Sequence, residues 1–310
     1  MRTPRVVSIG EVLWDLLPSG PQLGGAPANL AGHLHALHND VTLVSRVGPD
    51  PLGAQAREIL GGRGLDLSGL QTDPNLPTGT VGVEVDSQGQ PSYCIHEGVA
   101  WDALELVPEA SSRVQRADAV VFGTLAQRAN PSRDTIRRLV TAAPPSSIRI
   151  CDLNLRDPFH GPDRVAESCR MATIVKLNNT ELDQLASWFG WKGSVESQTA
   201  ALAKAFQLEE VILTLGHLGS CVWCSGEWLT RRASTVTVVD TVGAGDAFTA
   251  AYLSSRLRRL PLPETLRLAS DVAAYVCTQP GGLPVLPDAL TRSFRGTGPS
   301  EGVDPRSTRT

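Results

Sequence analysis

An α/β fold built on a mostly parallel sheet, with helices on both faces and a small β lid, is what this 310-residue sequence predicts. Three observations carry that prediction. Compact apolar runs such as "ADAVVFG" (117–123) suit strands buried on both faces. Segments with helical apolar spacing alternate with them. One region, "TGTVGVEVDSQGQPSYCIHEG" (78–98), alternates instead with period two around a "DSQG" turn, as a half-exposed hairpin does.

In chain order, "RVVSIG" (5–10) is the first strand and "VLWDLLP" (12–18) a short strand outside the main rhythm. "APANLAGHLHAL" (26–37) has helical spacing at Leu30, Leu34 and Leu37. Asn130 and Pro131 mark a helix start, with Ile136, Leu139 and Val140 on one face. "SSIRICDLN" (146–154), "ATIVKLN" (172–178), "EEVILTLG" (209–216) and "STVTVVD" (234–240) are the later strands, each separated by a helical pattern. The expected organisation is a single α/β domain over 1–290, with a discontinuous lid from about 11–23 and 78–102. The polar, Gly/Pro/Ser-rich segment 291–310 is expected to be disordered.

The composition, 41% hydrophobic and 19% charged, is that of a soluble globular protein. A net charge of −4 argues against a nucleic-acid-coating surface or an anionic membrane partner. No run reaches the apolar length of a membrane span, and Glu11 and Asp15 interrupt the only signal-like stretch, so a cytoplasmic location is expected. Six cysteines are scattered without a framework, and "CVWC" (221–224) lies in a strand-like run without zinc partners. His33, His35 and His38 in "HLHALH" do not share one helical face and are read as surface and helix-dipole residues.

The segment with most chemistry is "DTVGAGDAF" (240–248). With an apparent strand before it and a helix after it, "GAG" sits at a helix N-terminus, where unpaired amides and the helix dipole attract an anion. Glycine removes the Cβ atoms that would keep a phosphate away. Asp246 is either an ordinary first-turn carboxylate or a base beside an anion hole, the pair that phosphoryl transfer to a hydroxyl needs.

Four motifs in order give the context. "DTVGAGDAF" and "GGAPANLAGHL" (24–34) resemble the C-terminal and N-terminal signatures of the ribokinase-like (PfkB) carbohydrate kinases. "NNTE" (178–181) and "TLGHLGS" (214–220) resemble that family's N-x-x-E element and nucleotide loop. The resemblance runs from about residue 5 to about 285 and implies a ribokinase-like fold with the small lid sheet. It implies ATP and Mg²⁺ as nucleotide and metal, with Asp246 as base and the amides of Gly243, Ala244 and Gly245 as anion hole. Asn178 and Glu181 would organise Mg²⁺ and the phosphates through water, while the same pair makes a capping box at a helix start. Thr214, Gly216 and Gly219 would let the backbone approach the nucleotide, and Asp240 is a candidate for supporting a monovalent cation.

On the sugar side the resemblance implicates Gly24, Gly25, Asn29 and Asp15. "DLNLR" (152–156) resembles the D-x-N-x-R run of fructokinases and 2-keto-3-deoxygluconate kinases, and Arg156 would meet phosphate or a substrate carboxylate. "GGAPAN", "GTLAQR" (123–128) and "DLNLR" together resemble fructokinases most, with 2-keto-3-deoxygluconate kinase or another sugar kinase of the same fold, and a non-catalytic sugar or nucleotide sensor, as the alternatives. Trp101 and Asp102 either close the sugar pocket or pack the lid hinge. A homodimer through the lid edge is compatible with this reading.

Overall fold

The computed structural model describes residues 2–85 and 91–295. Its strands are β1 Arg5–Ile9, β2 Leu13–Leu17, β3 Gly20–Gly24, β4 Asp40–Val47, β5 Leu70–Thr72, β6 Gly79–Val85 and β7 Pro91–Ile95. They continue as β8 Ala119–Gly123, β9 Ile148–Asp152, β10 Ile174–Asn178, β11 Glu210–Thr214, β12 Ser220–Cys224 and β13 Glu227–Arg231. The helices are α1 Ala26–Ala36, α2 Pro51–Gly62, α3 Pro108–Val114, α4 Asn130–Ala142 and α5 Pro162–Met171. After them come α6 Asn179–Phe189, α7 Val195–Phe206, α8 Ala244–Leu257, α9 Leu262–Cys277 and α10 Asp288–Thr291.

Nine strands form the main sheet in the order β13-β12-β11-β10-β9-β8-β1-β4-β5. From β5 to β11 every pairing is parallel, and β12 and β13 close one side as an antiparallel hairpin. Parallel pairing follows from residues such as Val120, Val121 and Phe122, which are buried on both faces of the sheet. One face packs Val6, Leu34 and Leu43 against Ala247, Tyr252 and Val272 of α8 and α9. The other packs Val7, Phe122 and Leu177 against Ile136, Leu139 and Leu185 of α4 and α6. The predicted face of α4 is buried, but its N-cap is Ala129, and Asn130 is the first helical residue with no capping bond.

A second sheet, ordered β3-β2-β6-β7, joins the segment 13–24 to the predicted hairpin. The "DSQG" turn lies outside the described residues. β3, with two glycines and a proline in "GPQLG", carries no periodic signal and escaped the sequence reading. The Trp14 indole N–H donates to the Leu52 carbonyl (3.1 Å), tying β2 to the start of α2. Trp101 and Asp102 turn out to pack the base of the hairpin. Trp101 is buried under Gly79, where any Cβ would collide with the indole, and Asp102 accepts from the Gly98 and Val99 amides and from Arg128 Nε at 2.7 Å.

Two expectations are corrected. Residues 234–240 are not a strand: they join no ladder, and Val238 and Val239 are exposed. Only the amides of Val239 and Asp240 are tied, both to the Cys277 carbonyl at the end of α9. Its β-branched composition mimics a strand because extended backbone suits Val and Thr with or without a partner. The segment after 290 is also ordered further than expected. α10 and a 3₁₀ turn carry Phe294 into the core, fully buried, with its carbonyl accepting from Arg258. The disorder expected for 296–310 falls outside the described residues.

Truncating this anchor should therefore be expensive. Phe294→Ala is expected to lower the unfolding free energy by about 3–5 kcal/mol in a urea titration, as loss of a buried aromatic ring does.

Candidate active site

Open parallel sheets bind ligands beyond the C-terminal ends of their strands, and the singled-out residues converge there. β1 ends into Gly10 and Glu11, β8 into Gly123 and Thr124, and β9 in Asp152, while β10 and β11 end in Asn178 and Thr214, paired in register. A pocket at the first three ends is lined by Glu11, Pro27, Phe122, Thr124, Asp152 and Asp246.

Asp246 occupies the first turn of α8, and Gly243 is that helix's N-cap, with φ 74° and no side-chain cap. Glycine is needed there because a Cβ would collide with the Gly282 backbone. Ala244 N–H reaches the Thr241 carbonyl at 3.3 Å, whereas the amides of Gly243 and Gly245 have no acceptor among the described residues. The anion hole thus has two free donors at a helix N-terminus. Asp246 Oδ2 accepts from Asn29 Nδ2 at 3.0 Å, which joins the N-terminal and C-terminal motifs in one site.

Burial pushes the Asp246 carboxyl up to about 7, with the neighbouring Asp152 charge adding to it and the Asn29 bond and Lys176 opposing it. Lys176 is the group that sequence reasoning missed. Its Nζ lies 3.0 Å from Asp152 Oδ1 and 3.1 Å from where a Cβ on Gly245 would stand. Burial works against its charge, but Asp152, Glu181 and Asp246 together hold it above its ordinary value. Thr249 completes the support, donating to Asp152 Oδ2 at 3.1 Å. The signal was legible: a lysine inside the apolar run "ATIVKLN" needs a buried partner.

Among the residues expected on the sugar side, Gly25 (φ 101°) is the N-cap of α1, and a Cβ there would stand 2.5 Å from the Glu11 carbonyl. Gly24 faces Asp15, whose Oδ2 would be 2.7 Å from a Cβ at that position. Burial raises the Asp15 carboxyl, and the Arg156 charge opposes the rise. Glu11 is nearly fully buried, burial raises it too, and its Oε2 has no hydrogen-bond partner. Arg156 itself is exposed, and its Nη1 donates to the carbonyl of its neighbour Leu155.

Asn178 and Glu181 form the predicted capping box. Glu181 Oε2 accepts from Asn178 N–H (2.8 Å), and Asn178 Oδ1 accepts from Glu181 N–H (2.9 Å). The other oxygen, Oε1, accepts from Leu155 N–H at 2.8 Å, so the same carboxylate fixes the "DLNLR" loop. Beyond Thr214, Gly216–Leu218 form a 3₁₀ turn, and a side chain at Gly219 would collide with the Arg231 carbonyl. Asp240 is not free: Oδ1 accepts from Val242 N–H and Oδ2 from Gly281 N–H. One further reading is corrected, since His33 is completely buried rather than on the surface.

Bare amides at a helix N-terminus beside a buried carboxylate are groups that phosphoryl transfer to a hydroxyl needs, and similarity to known proteins gives the class, the ATP-dependent sugar kinases. Residues 21–289 match the pfkB family carbohydrate kinases, and the chain belongs to that family. A putative sugar kinase of Pyrococcus horikoshii is 32% identical over 289 residues, covering 87% of this chain and 88% of that one. Its ATP complex superposes with a TM-score of 0.80 at 29% identity, covering 94% of this chain and 100% of that one. A fructokinase of Klebsiella pneumoniae is 30% identical over 306 residues, 92% of this chain and 98% of its own. An ATP-bound fructokinase of Xylella fastidiosa shares the fold, with a TM-score of 0.83 at 21% identity over 94% of this chain and 97% of that one.

Lys176→Met should leave Asp152 and Asp246 buried with no cation between them. The expected cost is about 3–5 kcal/mol of unfolding free energy, measured by denaturant titration, because one partner of a buried pair is removed.

Proposed function

We propose that this sugar kinase phosphorylates fructose, with Asp246 as the base that takes the proton from the attacking hydroxyl. The observation that carries the reading is the Asn29–Asp246 bond beside the free amides of Gly243 and Gly245. The hydroxyl oxygen attacks the γ-phosphorus of ATP as its proton passes to Asp246, and the bond to the leaving ADP oxygen breaks in line. The two amides take up charge that develops on the transferring group. Gly24, Gly25, Asn29 and Asp15 would orient the sugar, and Thr214, Gly216 and Gly219 the nucleotide. The four-stranded sheet would act as a lid that keeps water from the γ-phosphate.

Magnesium on the nucleotide would neutralise phosphate charge. Glu181 suits it only through bound water, since both of its oxygens already accept backbone amides, and no cluster of three or more ligand-type side chains occurs among the described residues. Asp240, engaged by two amides, does not present an open carboxylate to a monovalent cation. The second reading is an acidic ketose such as 2-keto-3-deoxygluconate. Arg156 favours it, an exposed cation whose field reaches Asp15 and Glu11.

A coupled ADP-release assay with ATP and Mg²⁺ should show turnover of fructose above ribose, 2-keto-3-deoxygluconate, tagatose 6-phosphate and adenosine, with little ADP when sugar is omitted. Asp246→Asn is expected to lower kcat by roughly 10²–10⁴-fold, the usual worth of a positioned base. Preference for the keto-acid would transfer the assignment to the second reading.

The pH profile follows from the same carboxyl. Its pKa is raised and the active form is the carboxylate, so activity is present above about 7 and is lost as pH falls through that value. A plot of log kcat/KM for the sugar against pH, which reports the free enzyme, is expected to rise with unit slope and level off near neutrality.

A further inference from the structure

The strongest unassigned group is a histidine behind the anion loop. Asn29 and His33 stand one turn apart on α1, so both face the same way. Asn29 holds Asp246, while His33 Nε2 lies 3.0 Å from the Gly282 carbonyl oxygen. A carbonyl only accepts, so Nε2 carries the hydrogen and Nδ1 is a bare lone pair, buried without a partner. Burial lowers the ring's pKa to about 4, with the Arg63 charge acting in the same direction, so the imidazole is neutral. An apolar side chain of similar size would fill the space without stranding that nitrogen.

What His33 holds is a turn pressed against the anion loop. Arg63 Nη1 donates to the Leu283 carbonyl (2.7 Å), and Gly281 N–H donates to Asp240 Oδ2 (2.9 Å). A Cβ on Gly282 would stand 2.9 Å from Asn29 Nδ2 and 3.2 Å from Val242 Cγ1. The Gly282 backbone in turn fills the place a Cβ on Gly243 would take. Gly32 gives the turn room, since a Cβ there would meet the Leu283 side chain at 2.6 Å.

We infer that His33 is a positioning residue for phosphoryl transfer: by fixing the Gly281–Gly282 turn under Gly243, it sets where the Gly243 and Gly245 amides point. α1 thereby aims the base through Asn29 and the anion hole through His33. The inference rests on the reading of Asp246 and "GAG" as the reacting groups.

The test measures kcat and the sugar and ATP KM values of His33→Ala and His33→Gln, using fructose or the panel sugar with the fastest turnover, and Asp246→Asn as control. A displaced anion loop is expected to lower kcat of His33→Ala by about 10- to 100-fold, the scale of a misplaced catalytic group, with both KM values within about threefold of wild type. His33→Gln, whose amide nitrogen can still donate to Gly282, should recover most of that loss. Melting temperatures of all variants are measured alongside. Unchanged kcat in His33→Ala overturns the inference, as does a loss in both variants that tracks melting temperature without rescue by Gln. Should Asp246→Asn retain full activity, it is the underlying site assignment that fails instead.

Discussion

One ammonium group has to serve several buried carboxylates. Lys176 is pinned to Asp152 at 3.0 Å, yet it also lies in the field of Glu181 and Asp246. A single cation cannot neutralise three anions in a low-dielectric site, so burial, with the Asp152 charge adding to it, leaves one carboxyl whose proton becomes easy to gain and lose near neutrality. That carboxyl is Asp246. The carboxyl proposed as base is thus raised first by burial and then by the Asp152 charge, which Lys176 offsets only in part. Asn29 adds one neutral bond, enough to orient the group without stripping its basicity.

Around this electrostatic centre the fold distributes the tasks by strand end. β1 and β9 bring Glu11 and Asp152 to the lining of the pocket, which Asp246 of α8 also joins. β10 and β11 set Asn178 and Thr214 side by side. Glu181 bridges these halves, bonding the Asn178 amide on one side and the Leu155 amide on the other. A carboxylate that in isolation looks like a helix cap is also the tie between the end of β10 and the loop bearing Arg156.

Much of this was legible in the sequence, for reasons that differ by element. β8 and β10 announce themselves because strands buried on both faces must be continuously apolar. The hairpin is visible because its sequence alternates with period two. The Asn178–Glu181 box is local in sequence, so spacing alone reveals it. What escaped was non-local or mimicked. β3 has no pattern of its own and exists only because β2 offers it an edge. Residues 234–240 have strand composition but no neighbour to pair with. His33 looked like a helix-end histidine because its partner, Gly282, lies 249 positions away. The pairing of Asn29 with Asp246 spans 217 positions, and only the resemblance of two separate motifs hinted that they meet.

The burial of Phe294 has a consequence for how the chain is made. The core it enters also contains Val6, Leu34 and Leu43 from the first strands and helix. Contacts between such remote segments form only after long loops have closed, which slows folding. During synthesis the N-terminal half emerges with that face of its sheet still uncovered, since α8, α9 and Phe294 are the last to appear. Until they dock, the nascent chain presents an apolar surface to its surroundings, and this is the interval in which a chaperone would have most to hold.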